Sequence, residues 1–467
     1  MPDTIAAIAT GGSVSAIGIV RLSGLDSLIV ADNVFRAASG VMLKDAEDKR
    51  MYYGELFTTK QGDDGTTEPS QYLIDLCLCS VSRTPNSYTG EDTVEFYCHG
   101  SPVVLSEVLY ALFKFGVRQA LPGEFTKRAF LNGRLDLTQA EAVADLIEAE
   151  TPAAALNAAE QLRGAIRIRM ESVYDKLVDI VAHFHAVVDY PDEDIDDFKI
   201  QNYLKVLHDI ECELSRMLDT HKRGRVLRDG IPTAIIGRPN TGKSSLLNAL
   251  LGYNRAIVTE IAGTTRDTIE EKILIGDVLL RLIDTAGLRK TDDTVEIQGV
   301  ERTVAAINNA GLLIVVLDGS VPLTNEDHDV LRSIPPDIPK IAVVNKSDLP
   351  VVLDIVDLVG YDIENTMVSA LSGEGLDSLD EKIQILFRDI TGHTAPGELI
   401  TNIRQAEAIA TAVSCIQAAA NGLTDSVTPD AILTDIEAAL FAIGEVTGKT
   451  IRDDIVSRVF ERFCVGK

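Results

Sequence analysis

Gly237-Arg238-Pro239-Asn240-Thr241-Gly242-Lys243-Ser244 stands between the apolar run Thr233-Ala234-Ile235-Ile236 and a helix-forming stretch from Ser245 to Leu251. This is G-x-x-x-x-G-K-S in the strand–loop–helix setting that the motif requires. Its glycines lack the Cβ atoms that would keep backbone N–H groups from closing around phosphates. Lys243 supplies a point charge for the β and γ oxygens, and the Ser244 hydroxyl a hard ligand for Mg²⁺. The field of the helix N-terminus adds to both. Asn240, Thr241, Gly242, Lys243, Ser244 and Ser245 are the expected phosphate contacts.

Further motifs follow in chain order. The run Val278-Leu279-Leu280-Arg281-Leu282-Ile283 ends in Asp284-Thr285-Ala286-Gly287. A carboxylate at that strand tip can hold Mg²⁺ through water, and Gly287 lets the backbone approach the γ-phosphate. Ile341-Ala342-Val343-Val344 ends in Asn345-Lys346-Ser347-Asp348. The two acceptors of Asp348 match the N1–H and 2-amino donors of guanine, which adenine does not present together. Thr366-Met367-Val368 leads to Ser369-Ala370-Leu371, placed for the guanine O6 edge. Four motifs at the C-terminal ends of strands, where open parallel sheets bind ligands, point to GTP. Between the first helix and the second strand lies Gly263-Thr264-Thr265-Arg266-Asp267. Thr265 is the expected completing ligand of Mg²⁺, and the segment the order–disorder switch.

Hydrolysis needs an oriented water. The position after Asp-Thr-Ala-Gly, often Gln in small GTPases, is Leu288, which cannot hydrogen-bond to water. Asp292, Asp293 and Glu296 are the downstream candidates. The developing phosphate charge can be met by Arg266, or by a monovalent cation held at Asn240.

The whole chain has 467 residues, 46% hydrophobic and 24% charged, a soluble composition with room for about three domains. Residues 1–121 read as mixed α/β, 122–228 as helical, 229–388 as α/β and 389–467 as helical again. Strands are expected at Ile17–Val20 and Tyr72–Leu78, and a helix over Leu105–Phe115. Thr138 and Glu141 form an expected capping box, and Asp189–Asp197 a solvated loop. Helices expected over Ala406–Ala420 and Asp430–Glu445 would pair with those before residue 229. The fold class is therefore multi-domain α/β plus α, with a P-loop, Ras-like parallel-sheet G domain inserted into a helical bundle.

Net charge is −28, so the chain gains no bulk attraction to nucleic-acid phosphates. Six scattered cysteines form no disulfide framework and fit a reducing cytoplasm. Cys98 and His99 are adjacent in a strand and so face opposite ways, which favours buried thiols over a metal site. A signal peptide and a spanning apolar run are both absent from the sequence, so no membrane association is expected.

Several stretches resemble the MnmE (TrmE) family of bacterial tRNA-modification GTPases along essentially the whole chain. They are Asp3–Thr10, Gly18–Gly24, Ser87-Tyr88-Thr89-Gly90-Glu91-Asp92, Cys98-His99-Gly100, Pro122–Arg134, the P-loop with Asn240, Gly263–Asp267 and Cys464-Val465-Gly466-Lys467. The resemblance implies a constitutive homodimer through an N-terminal α+β, folate-binding-like domain. It implies a partner, an MnmG (GidA)-type flavoprotein carrying FAD, in a heterotetramer-like complex. Together they would install an aminomethyl-type group at carbon 5 of the wobble uridine of certain tRNAs, using 5-formyl- or methylene-tetrahydrofolate. By positional match Arg21, Glu95, Arg134 and Lys467 contact the folate. K⁺ is held by Asn240, Thr259, Ile261 and Thr264, and the G domains pair across the nucleotide. Glu296 orients the water and Arg266 assists. Cys464 is either a nucleophile toward the uridine ring or a group that places the folate. Thr241 stands where many relatives have Ala, and Gly11–Ser15 replaces a more Pro/Gly-rich loop. The rival readings are a ribosome-assembly GTPase and a regulatory switch; no basic RNA-binding segment follows residue 388.

Overall fold

The computed structural model describes residues 3–60, 70–189, 197–253, 271–283, 307–388, 397–425, 427–450, 459–460, 463 and 465–466. The chain divides into two compact units: Met1–Ala144 with Leu162–Ala186 and Ile436–Lys467, and Asp145–Gln161 with Val187–Asp435.

The first unit is built on strands β1 (Ile5–Ile8), β2 (Ser15–Ser23), β3 (Phe35–Ala37), β4 (Met51–Lys60), β5 (Ser70–Ser82), β6 (Thr93–Gly100) and β7 (Arg118–Gln119). Their order in the sheet is β3-β4-β5-β6-β2-β1-β7. The pairings are antiparallel except β1 with β7. Helices α1 (Ser27–Asp32) and α2 (Pro102–Phe113) supply Leu28, Val30, Leu105, Val108 and Leu112 to the core beneath it. Alternation along β5 and β6 sends Cys77, Cys79, Val81, Val94, Phe96 and Cys98 into that core. His99 points the other way, exposed, with its ring 2.8 Å from Asp75. Cys77, Cys79 and Cys98 are thus core residues.

After β7 the chain continues in helices α3 (Glu124–Leu131), α4 (Leu137–Glu148), α5 (Pro152–Leu162), α6 (Ala165–Asp189) and α7 (Asp197–Asp219). The cap of α4 lies elsewhere than expected. Asp136 Oδ1 accepts from the Gln139 backbone N–H at 2.8 Å, and Gln139 Oε1 accepts from the Asp136 N–H at 3.1 Å. This reciprocal box sits two residues before the Thr138/Glu141 pair; Thr138 only donates its hydroxyl to Asp136, at 2.6 Å. Aspartate caps at least as well as threonine, so the earlier carboxylate starts the helix. Phe130, Leu137, Ala140, Phe460 and Phe463 form a separate cluster in this unit, and Pro122 bridges to Val465.

In the second unit α8 (His221–Asp229) runs into β8 (Ile231–Ile236) through Gly230 alone. The remaining elements are α9 (Lys243–Tyr253), β9 (Glu271–Ile275), β10 (Val278–Leu282), β11 (Leu312–Asp318), α10 (Asn325–Arg332), β12 (Lys340–Asn345), β13 (Glu364–Val368), α11 (Leu376–Leu386), α12 (Ile403–Thr424) and α13 (Pro429–Thr447). The six-stranded sheet runs β13-β12-β11-β8-β10-β9, parallel except for the β9–β10 hairpin. Leu312, Ile314 and Val316 of β11 enter one core and Leu313, Val315 and Leu317 the other. Burial on both faces explains the unbroken apolar run.

Helical elements on either side of this sheet are joined by buried side chains. Asn157 Oδ1 accepts from the Gly397 N–H at 2.9 Å, Gln161 Nε2 donates to Leu399 O at 2.6 Å, and the Thr401 hydroxyl donates to Asp145 at 2.8 Å. Helix α7 packs along α12, with Gln417 donating to Glu211 at 2.7 Å. The α/β module is therefore an insertion between helical segments that pack on each other. No helix among the described residues is long and apolar enough to cross a membrane.

Candidate functional site

Gly237 opens the P-loop at φ 146° and Gly242 closes it at φ 95°. A Cβ at Gly237 would lie 2.4 Å from the Val316 carbonyl oxygen, and one at Gly242 2.1 Å from Asn345 Nδ2. Both positions therefore require glycine sterically as well as conformationally. Asn240 is left-handed at φ 62°, a state asparagine tolerates better than most residues.

The Lys243 ammonium folds back and donates to the carbonyls of Gly237 and Arg238, both at 2.8 Å. Burial, and then the nearby Arg238 charge, lowers its pKa, so an anion beside it has a desolvated cation to meet. The Thr241 hydroxyl is buried and donates to Arg238 O at 3.1 Å. Arg238 pairs with Asp327 at 3.1 Å, and Asp327 also completes a capping box with Thr324 at the start of α10. Ser244 and Ser245 occupy the first turn of α9.

The base-reading side is assembled from the tips of β11, β12 and β13. Asn345 is buried; its Nδ2 donates to Thr241 O at 2.9 Å and its Oδ1 accepts from the Ala370 N–H at 3.0 Å. One amide thus ties the P-loop to the loop after β13. Ser369 donates to Asp348 Oδ1 at 2.6 Å and accepts from the Ser372 N–H at 3.2 Å. Lys346, left-handed at φ 68°, reaches Asp318 Oδ2 at 2.7 Å. Asp318 is a residue the motif reading passes over. Its signal is the same as that of Asp284, a carboxylate ending an apolar run. Burial would raise its pKa, but hydrogen bonds from Lys346 and Ser320 outweigh that and hold it below the usual value.

The structure therefore brings together Asn240, Thr241, Gly242, Lys243, Ser244, Ser245, Asn345, Lys346, Asp348, Ser369 and Ala370 at the C-terminal edge of one sheet. Thr259, Ile261, Thr264, Thr265, Arg266, Asp284, Gly287, Glu296, Cys464 and Lys467 lie outside the described residues.

In the first unit Arg21 and Glu95 face each other across β2 and β6, with Nε 2.6 Å from Oε1. The guanidinium lies 5.6 Å from the ring centroids of both Tyr88 and Phe125. Tyr97 donates to the other Glu95 oxygen at 2.7 Å. Tyr88 and Thr126 share a hydroxyl contact at 2.9 Å, and Asn132 donates to Thr89 O at 2.7 Å. The two signature stretches around residues 88 and 126 thus close around Arg21. Arg134 is exposed just beyond α3. Beside this site Glu124 takes Arg118 at 2.7 Å and Arg128 at 3.0 Å, and Arg128 also reaches Glu91 at 3.0 Å. These pairs account for Glu91, Glu124 and Arg128 of the two stretches.

Two family descriptions match: "GTP-binding protein TrmE N-terminus" over residues 4–134 and "MnmE helical domain" over residues 137–464. Among curated relatives, a tRNA modification GTPase MnmE of Alkaliphilus metalliredigens is 40% identical over 471 residues, covering 100% of both chains. That of Thermoanaerobacter pseudethanolicus is 40% identical, covering 100% of this chain and 99% of the relative. That of Lactococcus lactis subsp. cremoris is 41% identical, covering 100% and 98%. A match of this extent, on a chain with an assembled P-loop and base-reading loop, places it in the MnmE family of tRNA modification GTPases.

Proposed function

We propose that this GTPase uses GTP hydrolysis to drive modification of carbon 5 of the wobble uridine in certain tRNAs, to a carboxymethylaminomethyl- or aminomethyl-type group. A tetrahydrofolate, 5-formyl or methylene, donates the carbon, and an MnmG-type flavoprotein supplies FAD chemistry. The observation that carries the nucleotide reading is Asn345, whose single amide joins the phosphate loop to the guanine-reading loop.

Bound GTP would lie with its phosphates in the cradle that Gly237 and Gly242 keep free of Cβ atoms, and its base against Asp348. The hydroxyls of Ser244 and Thr265, with Asp284 acting through water, are hard oxygen donors that suit Mg²⁺. When bound, that ion neutralises charge on the β and γ oxygens. Lys243 would exchange its two loop carbonyls for phosphate oxygens. Oxygens of Asn240, Thr259, Ile261 and Thr264 would hold K⁺ as the G domains of a homodimer pair. Leu288 offers nothing to water, so Glu296 orients the attacking water and Arg266 adds charge. Arg21, Glu95, Arg134 and Lys467 would hold the folate, with the Tyr88 and Phe125 rings fixing Arg21. Cys464 would stand near the one-carbon unit.

The test is the mass of wobble-position nucleosides in a deletion strain. Unmodified uridine there, restored by the wild-type chain and not by Arg21→Ala or Asp348→Asn, is the expected result. Normal nucleosides in the deletion strain would overturn the proposal.

A further inference from the structure

Three side chains of the base-reading loop are each held by a different neighbour. Asn345 is held by the P-loop, Asp348 by Ser369, and Lys346 by Asp318. The first two holders belong to recognised motifs; Asp318 does not. It ends β11, and the strand register sets it opposite Asn345. Lys346, one residue farther along, reaches back across the tips of the two strands to meet it at 2.7 Å. Asp318 is itself immobilised: its Oδ1 accepts from the Ser320 N–H at 3.0 Å and hydroxyl at 2.6 Å, and its side chain is 9% exposed. The Lys346 side chain is 33% exposed, so the pair is shielded from full solvent screening. Lys346 also has the left-handed backbone, which a lysine adopts only when its surroundings enforce it.

We propose that Asp318 is a positioning residue of the nucleotide site: by anchoring the Lys346 ammonium it holds the Asn345–Asp348 turn in its bent form and slows release of guanine nucleotide. The proposal rests on the guanine-nucleotide reading above. Without the anchor Lys346 regains its rotamers, and binding must order both the side chain and the turn it sits in. Asp318 touches no ligand in this scheme and acts through Lys346 alone.

Release of a fluorescent GDP analogue from the full chain, measured by stopped flow, tests this in a double-mutant cycle. Asp318→Asn keeps the shape and removes the charge, and should speed release roughly tenfold, the scale of one charge-assisted hydrogen bond. Lys346→Ala should speed it at least as much, and Asp318→Asn should add nothing in that background. Ser320→Ala, which loosens Asp318 while keeping its charge, should speed release by a smaller factor and covers the case in which Asp318→Asn does not fold. Unchanged release in both Asp318→Asn and Ser320→Ala overturns the proposal, as does a further acceleration by Asp318→Asn on top of Lys346→Ala. Failure of the wild-type chain to bind the analogue would instead remove the nucleotide reading, and this proposal with it.

Discussion

At the scale of single residues, the nucleotide site is tied together by side chains that satisfy two neighbours at once: Lys243, Asn345 and Ser369. Asn345 serves as donor to Thr241 and acceptor for Ala370. An alanine there would leave a buried carbonyl and an N–H without partners, a loss of about 1–3 kcal/mol for each. Hydrolysis itself turns on residues of another kind. Leu288 cannot orient water, so the proposed mechanism gives that role to Glu296 and the charge-neutralising role to K⁺ beside Asn240. Replacing Na⁺ with K⁺ should raise GTP turnover sharply, and Glu296→Ala should abolish most of it while nucleotide affinity is kept. Equal turnover in the two salts removes the cation from the mechanism. Lys243, Ser244, Asn345 and Asp348 are legible in sequence because chemistry fixes their type and spacing. Asp318 and Thr241 are not, because their partners are set by strand register and loop closure. A carboxylate at a strand tip is visible, but the lysine it meets is not.

At the scale of elements, hydrophobic period and motif context locate most helices and strands, and capping chemistry decides their ends. Helix α4 begins at Leu137 because Asp136 and Gln139 exchange hydrogen bonds across its first turn. Asp136→Ala should cost on the order of 1 kcal/mol, and Thr138→Val less. Thermal unfolding of the two variants distinguishes them; an equal loss in both would return the cap to Thr138. The sequence reading takes the Thr138/Glu141 pair, and the box that forms is Asp136/Gln139, two residues earlier. Strand β11 shows a different limit. It carries no nucleotide motif, yet its flanks face both cores and it sits between β8 and β12. Motif reading selects the strands that end in ligands, and topology alone reveals the one between them.

At the scale of the molecule, charge is held in local networks despite the net −28. Burial alone would raise the pKa of Glu124, but hydrogen bonds from Arg118, the Leu121 N–H and Arg128 hold it below the ordinary value of about 4.3. A carboxylate lowered in this way contributes stability that is present above that value and is lost as pH falls through the lower folded-state value. Wild-type unfolding temperature should therefore drop as pH falls below about 4.3, and Glu124→Gln should start lower and lose less over the same interval. Parallel curves for the two proteins would show that the network contributes nothing titratable. The nested architecture was legible from the return of helical texture after the α/β segment, because a helix face must find an apolar partner somewhere in the chain.

One further consequence comes from where the polypeptide leaves the helices and where it comes back. The returning segment meets the departing one beside the start of α8: the Ile400 N–H donates to Thr220 Oγ1 at 3.1 Å, and the His221 ring lies 3.2 Å from Ile400 O. Everything between these points hangs from adjacent doorposts. An ancestor could have acquired the nucleotide-binding cassette by opening one turn between two helices, and a shortened descendant could close that turn again without unpicking α7 from α12.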